Sequence, residues 1–283
     1  MFRKIIPVVL SLTLILSACS FTFSLPVTQQ VGPTVTDNLS VPLPNTTQSV
    51  DLTLKFGAGI LKLKPGSAVL VSGTATYNIS DFKPTVTANG STVSIEQGNW
   101  RLNGIPDVSN IKNEWDLALG MAPMNLTIDG GAYQAEYELG GLLLTNLTVS
   151  DGAADTKLNF ASPNLAQMSL LSYSTGASNV SLTGLGNANF ASLEFDSGAG
   201  NYTLDFSGTL TRNGSVHIGT GVSNLTLVIP AGIPAQVTVD GGLSNVSHGS
   251  GWSKSGNVYT QTGSGPQLTI VVEIGAGNLT ITR

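Results

Sequence analysis

Charge is what this sequence has least of. Only 10% of its 283 residues are Asp, Glu, Lys or Arg, with a formal net charge of −5. No basic patch or Arg/Lys stripe is present, which excludes nucleic acid as a partner. Aromatic residues are scarce at 6%, and there are two histidines, His217 and His248, and one cysteine. A lone cysteine rules out a disulfide framework. Two separated histidines with no His/Asp/Glu cluster at ligand spacing give no metal centre, and no G-x-S-x-G nucleophile motif occurs. No catalytic residue and no cofactor is therefore expected. What fills the chain is Gly (33 residues), Thr, Ser, Asn, Leu and Val, a composition of short strands and tight turns rather than helices. At 41% hydrophobic it can build a core.

The one long apolar run lies at the start. Arg3 and Lys4 precede Ile5–Leu16, which is too short to span a bilayer but suits a signal peptide. It leads into Leu16-Ser17-Ala18-Cys19, which resembles the lipobox of bacterial lipoproteins. That resemblance implies cleavage before Cys19 and its diacylation, making residues 1–18 a lipoprotein signal peptide. Two or three acyl chains give stable anchoring where one would be marginal, so the lipid bilayer is an expected partner and the location is extracytoplasmic. Residues 19–49 then read as the lipidated cysteine and a flexible tether rich in Thr, Pro, Gln, Val and Asn, with Asp37 the only charge.

The phrase GAGNLTI near the end (Gly275–Ile281) repeats earlier themes such as GAGNYTL (Gly198–Leu204) and GVSNLTL (Gly221–Leu227). Aligned on the first glycine, copies start at Gly57, Gly131, Gly152, Gly176, Gly198, Gly221, Gly242 and Gly275, with a period near 22 through most of the second half. Five residues before each glycine stand Leu52, Leu126, Leu147, Leu171, Leu193, Val216, Val237 and Ile270. The next position is mostly polar and the one after is apolar again. This alternation predicts a strand before the Gly-Ala corner and another after it. One such unit cannot bury its apolar face alone, so the prediction is an all-β fold: a single β-solenoid of parallel stacked rungs over residues 125–283. Residues 50–124, which contain one copy and an Asn89-Gly90 hairpin signal, read as an N-terminal β cap.

Three columns resemble sites. Asn179, Asn201, Asn224, Asn245 and Asn278 stand three past the glycine, and we read them as a structural amide ladder. Asp129, Asp196, Asp240 and Glu273 stand two before it, but Ser150, Ser174 and Gly219 interrupt the row, so no metal is assigned. The recurring N-x-S/T triplets fall out of the repeat itself. The irregular segments, a loop around residues 100–115 and an excursion over residues 245–267, carry Trp100, Trp115, Trp252 and Tyr259, which form the candidate interaction patch.

The stretches VDLTLKFGAGILKLK (Val50–Lys64), WDLALGMAPMNLTI (Trp115–Ile128) and SLEFDSGAGNYTLDF (Ser192–Phe206), together with the lipobox, resemble the bacterial toast-rack family, related to repetitive adhesin-like domains and to domains of cell-wall-antibiotic-response membrane proteins. The resemblance implies a stacked β-solenoid at the cell envelope and carries over no active site. The functional expectation is a non-catalytic surface module that binds or adheres to cell-wall glycan or an envelope protein. The alternative is a structural or sensing component of an envelope-stress complex.

Overall fold

Alternating apolar and polar residues, broken once by Gly-Ala, dictate a strand that stays paired while it turns a corner. The computed structural model of the protein describes residues 31–98 and 110–283. Cys19 and Trp100 lie outside the described residues. In chain order the strands are β1 (Val35–Val41), β2 (Val50–Ser67), β3 (Val71–Tyr77), β4 (Pro84–Asn89), β5 (Thr92–Gln97), β6 (Asn113–Gly120), β7 (Met124–Glu138), β8 (Leu144–Asn159) and β9 (Met168–Thr183). They continue with β10 (Phe190–Asp205), β11 (Gly214–Val228), β12 (Ala235–His248), β13 (Ser253–Ser255), β14 (Val258–Gln261) and β15 (Leu268–Thr282). Among the described residues these form one sheet in the order β1-β3-β6-β2-β7-β8-β9-β10-β11-β15-β12-β14-β13, with β5 also on β2 and β4 on β5.

From β2 to β12 every neighbouring pair is parallel, so the fold is the all-β solenoid that the repeat implied. Register places like over like. Leu126, Leu147, Leu171, Leu193, Val216 and Ile270 lie rung upon rung, and all are buried. Each rung is one long strand bent at its glycine, so the two halves enclose a dry interior and turn their polar positions outward.

The repeat glycine has a different physical cause from the one a turn motif suggests. None of these glycines has positive φ. A Cβ on Gly131, Gly176, Gly198, Gly221 or Gly275 would instead sit 2.2–2.7 Å from the carbonyl oxygen of the repeat glycine in the adjoining rung. Close approach of backbone to backbone fixes this column. The alanine beside it points outward. Ala132, Ala153, Ala177 and Ala199 face solvent, and Val222 in that column is 65% exposed.

Three organisational expectations are corrected. The rungs do not stack wholly in chain order, because β15 inserts between β11 and β12. Its six inward residues, Leu268 to Ile281, are all buried, which suits a strand paired on both edges. The excursion over residues 245–267 is a β13–β14 hairpin folded back antiparallel on β12, across the end of the stack. Second, residues 50–124 are not all cap. β2 is a full rung in register with β7, and β5 and β6 lie on its two halves as a split rung, leaving β1, β3 and β4 as the antiparallel cover. Third, the predicted tether over residues 19–49 contains β1, which pairs with β3 from Val35 to Val41. Its alternation buries Val41 and half-buries Asp37 and Leu39, and the Tyr77 hydroxyl donates to Asp37 Oδ2 at 2.7 Å. Burial, then the Asp37 carboxylate, push the Tyr77 hydroxyl up to about 12.

Candidate functional site

The aromatic patch is corrected first. Trp115 is fully buried in β6, edge-on to Phe56 at 5.1 Å, and Tyr133 is likewise edge-on to Phe56 at 5.8 Å. Trp252 and Tyr259 are 7% and 2% exposed. Tyr259 packs against His248 at 5.5 Å and lies under Lys254 Nζ at 5.1 Å. A stack of rungs exposes its apolar cross-section at each end, and broad flat side chains close it most fully. These aromatics are plugs. The sequence held that signal, because Trp115-Asp116-Leu117-Ala118-Leu119 alternates as an inward-facing strand does.

What the solenoid offers outward are ordered polar rows. On the second halves of the rungs Asn201 Nδ2 donates to Asn179 Oδ1 at 2.9 Å, Asn224 Nδ2 to Asn201 Oδ1 at 3.0 Å, and Asn278 Nδ2 to Asn224 Oδ1 at 2.8 Å. The amide ladder is therefore continuous over four rungs and crosses the β11–β15 junction. On the first halves a shorter ladder runs from Asn146 through Asn125 to Asp51, with bonds of 2.8 and 2.7 Å. Nearer the N-terminal end charges replace amides. Lys62 pairs with Glu114 at 3.4 Å and Lys64 with Asp116 at 2.8 Å.

A groove of about 630 Å³ follows the corners of β7 to β11. Its wall holds Asp129, Ser150, Ser174 and Asp196, and its floor is the row one residue before the repeat glycine: Gly130, Asp151, Thr175, Ser197 and Thr220. That floor row has inward parity, and its polar character is the feature that reading the outward columns missed. A carboxylate at an inward position of an alternating strand was the available signal.

Asp151 is 8% exposed. Tyr133 donates to its Oδ1 and Tyr173 to its Oδ2, while Tyr137 donates to the Tyr133 hydroxyl at 2.9 Å. Gly130 makes room for this network, since a Cβ there would lie 2.1 Å from the Tyr133 ring. Burial pushes the Asp151 carboxyl up, against the pull of the tyrosine hydroxyls, and raises Tyr133, Tyr137 and Tyr173 as well. On the next rung, β9, and again on β11, the floor turns to hydroxyl pairs. Thr175 and Ser178 share a hydrogen bond, and Ser223 donates to Thr220 Oγ1 at 2.8 Å. Ser178 Oγ also accepts from the Ala154 amide at 2.8 Å, tying one corner to the next. Among the described residues no group of three or more His, Cys, Asp and Glu is placed to hold a metal ion.

Residues 30–170 match the family model described as the N-terminal domain of toast_rack, DUF2154. The chain belongs to the toast-rack family. No curated protein matches it. Among solved structures, one described as a candidate cell adhesion protein from Clostridium sporogenes ATCC 15579 is 19% identical, covers 88% of this chain and 99% of its own, and has a TM-score of 0.51. A candidate adhesin from Bacteroides fragilis NCTC 9343 is 12% identical over 88% of this chain and 97% of its own, with a TM-score of 0.41. A candidate lipid binding protein from Parabacteroides distasonis ATCC 8503 is 10% identical with the same coverage and a TM-score of 0.39. At 19% identity the Clostridium structure shows a shared fold and nothing of activity. What the toast-rack scaffold adds chemically in this chain is a pair of hydrogen-bonded polar faces and, at their junction, a carboxylate- and hydroxyl-lined groove.

Proposed function

We propose that this toast-rack protein is a non-catalytic binding and adhesion module of the cell surface, held to the lipid bilayer through an acylated Cys19 and turning its rungs toward cell-wall glycan or an envelope protein. The observation that carries the reading is the amide ladder Asn179–Asn201–Asn224–Asn278. Side chains already bonded to one another lose little freedom when a partner arrives, so a flat polar face of this kind binds without a large ordering cost. Each amide in the ladder also keeps unused hydrogen-bonding capacity directed at solvent. The descriptions of the Clostridium and Bacteroides structures as candidate adhesins agree with this function.

Two measurements test it. Full-length protein in detergent, mixed with peptidoglycan sacculi and separately with solubilised envelope proteins, should be retained on the sacculi or capture one defined protein. Retention by neither overturns the adhesion reading. Cys19→Ser should abolish incorporation of labelled palmitate and move the protein out of the membrane fraction. A variant that stays membrane-bound overturns the anchor.

A further inference from the structure

We propose that β1 pairs with β1 of a second copy of this chain across a two-fold axis, joining two solenoids through their N-terminal ends. The inference is independent of what the rungs adhere to. Strand β1 pairs with β3 along one edge from Val35 to Val41, and among the described residues no strand takes its other edge. It is also the outermost strand at its end of the sheet. On one half of the rung β6, β3 and β1 stand beyond β2, and on the other only β5 and β4, so β4 is set back by one strand.

Free edges are normally guarded by charge, by proline or by brevity. Strand β4 begins at Pro84 directly after Lys83, and β13 is three residues long with Lys254 at its centre. The second half of β12 is flanked by a hairpin that projects two strands further on the other half. Strand β1 has none of these guards. It contains no Lys, Arg, Pro or Gly, and its single charge, Asp37, accepts from the Tyr77 hydroxyl and lies 3.9 Å from Lys83 Nζ. Its inward side is also unfinished. Val35 is 41% exposed and Leu39 half-buried, whereas Leu225 and Leu227, inward residues of an inner rung, are closed. Val31 and Leu43, beside the two ends of β1, are exposed as well.

The sequence of the strand decides the occupant. VTDNLSV reads nearly alike in both directions. Antiparallel pairing centred on Asn38 sets Val35 against Val41, Thr36 against Ser40, Asp37 against Leu39, and Asn38 against itself. Valines then meet on the inner face, hydroxyls and amides meet on the outer face, and no two like charges are opposed. A two-fold interface requires this kind of self-complementarity, whereas a strand from an unrelated protein would not. The acyl anchor proposed above adds to it. Cys19 lies 16 residues before Val35, so two copies in one bilayer would hold their β1 edges within tether reach, at an effective concentration in roughly the millimolar range.

Sedimentation of the full-length protein in detergent over a concentration series reads the pairing. A dimer is expected. Asn38→Lys, at an exposed position, sets two ammonium groups opposite one another and should weaken the dimer at least about tenfold with the melting curve unchanged. Crosslinking reads the register. In a full-length chain carrying Cys19→Ser, Asn38→Cys leaves one cysteine, and opposed Cα atoms about 5 Å apart permit a disulfide. Oxidation should trap this dimer, but not one carrying Ser40→Cys instead, whose two thiols would stand about 14 Å apart along the strands. A monomer at every concentration, a dimer indifferent to Asn38→Lys, or equal crosslinking from positions 38 and 40 overturns the proposal. A monomer whose β1 amides resist hydrogen exchange also overturns it, and gives the edge to another segment of the same chain. Capture of an envelope protein by a chain that is monomeric alone, abolished by Asn38→Lys, overturns self-pairing in favour of that protein. A dimer that neither sacculi nor envelope proteins retain upholds the pairing and removes only the adhesion reading.

Discussion

The two ends of the second polar face solve the same problem with different chemistry. In register, each outward side chain lies about 4.8 Å from its counterpart in the next rung. Two like charges at that distance repel by about 1 kcal/mol even in a water-like dielectric. Toward the N-terminal end the column runs Asp116, Lys62, Glu136, Lys157, with the sign alternating at every rung. Toward the C-terminal end the same column is Ser181, Thr203, Thr226 and Thr280, beside the amide ladder. Amides and hydroxyls both donate and accept, so an identical residue can repeat without limit, whereas a charge cannot. The interior mirrors the contrast: a buried carboxylate among tyrosines at β8, and paired Thr and Ser hydroxyls at β9 and β11.

One feature is common to both ends, and breaking it should have the largest effect. Gly198→Ala places a Cβ 2.5 Å from the Gly176 carbonyl oxygen, and Gly152→Ala faces the Gly131 carbonyl at 2.9 Å. Neither obstacle is a side chain that can turn away, so the rungs must part. A loss of about 3 kcal/mol is expected for Gly198→Ala, with Gly152→Ala milder, read from urea unfolding. If Gly198→Ala is neutral, close packing of backbones is not what holds this column.

The next effect separates the two interiors. The raised carboxyl of Asp151 binds its proton more tightly in the folded state than in the unfolded chain. Stability is therefore full below the ordinary carboxylate range and falls as pH rises from there through the raised folded value. The loss is up to about 1.4 kcal/mol per pH unit inside that window. Asp151→Asn keeps one acceptor for a tyrosine and cannot ionise, so the variant should equal the wild type in acid and exceed it near neutrality. Parallel stability curves for the two proteins would mean that the carboxylate is not desolvated.

How far these contrasts could be read from the sequence depends on what a column records. The repeat glycines, the row from Leu126 to Ile270 and the amide ladder were legible, because parallel in-register stacking turns sequence alignment directly into spatial contact. Strand order was not. Nothing in the residues of β12 and β15 states that the later copy lies inside the earlier one, since both carry the same columns and only the hairpin between them makes the reversal reachable. β1 was missed because Val35–Val41 is short and half-exposed, and its partner β3 lies 36 residues on, from Val35 to Val71. The groove floor was hidden by attention to the outward columns. Asp151, Thr175, Ser197 and Thr220 are polar residues on the dry parity, where chemistry stands out most.

Two smaller changes sharpen the comparison of the outer faces, and they belong together. Lys62→Glu removes the Lys62–Glu114 pair and sets three acids in succession down the column, from Asp116 to Glu136. The sites are partly exposed, so the cost should be about 1 kcal/mol at low ionic strength and should shrink as salt is added. Asn201→Asp puts a charge into the neutral ladder instead. The new carboxylate still accepts from Asn224 but no longer donates to Asn179, leaving one exposed amide oxygen to water. Its nearest acid in the column is Asp155, two rungs away and about 10 Å distant. That is beyond the reach of unscreened repulsion at moderate salt, so the loss should be about 0.5 kcal/mol and nearly independent of salt. Equal salt dependence in the two variants would show that long-range charge, rather than the rung above and the rung below, governs which side chains each column tolerates.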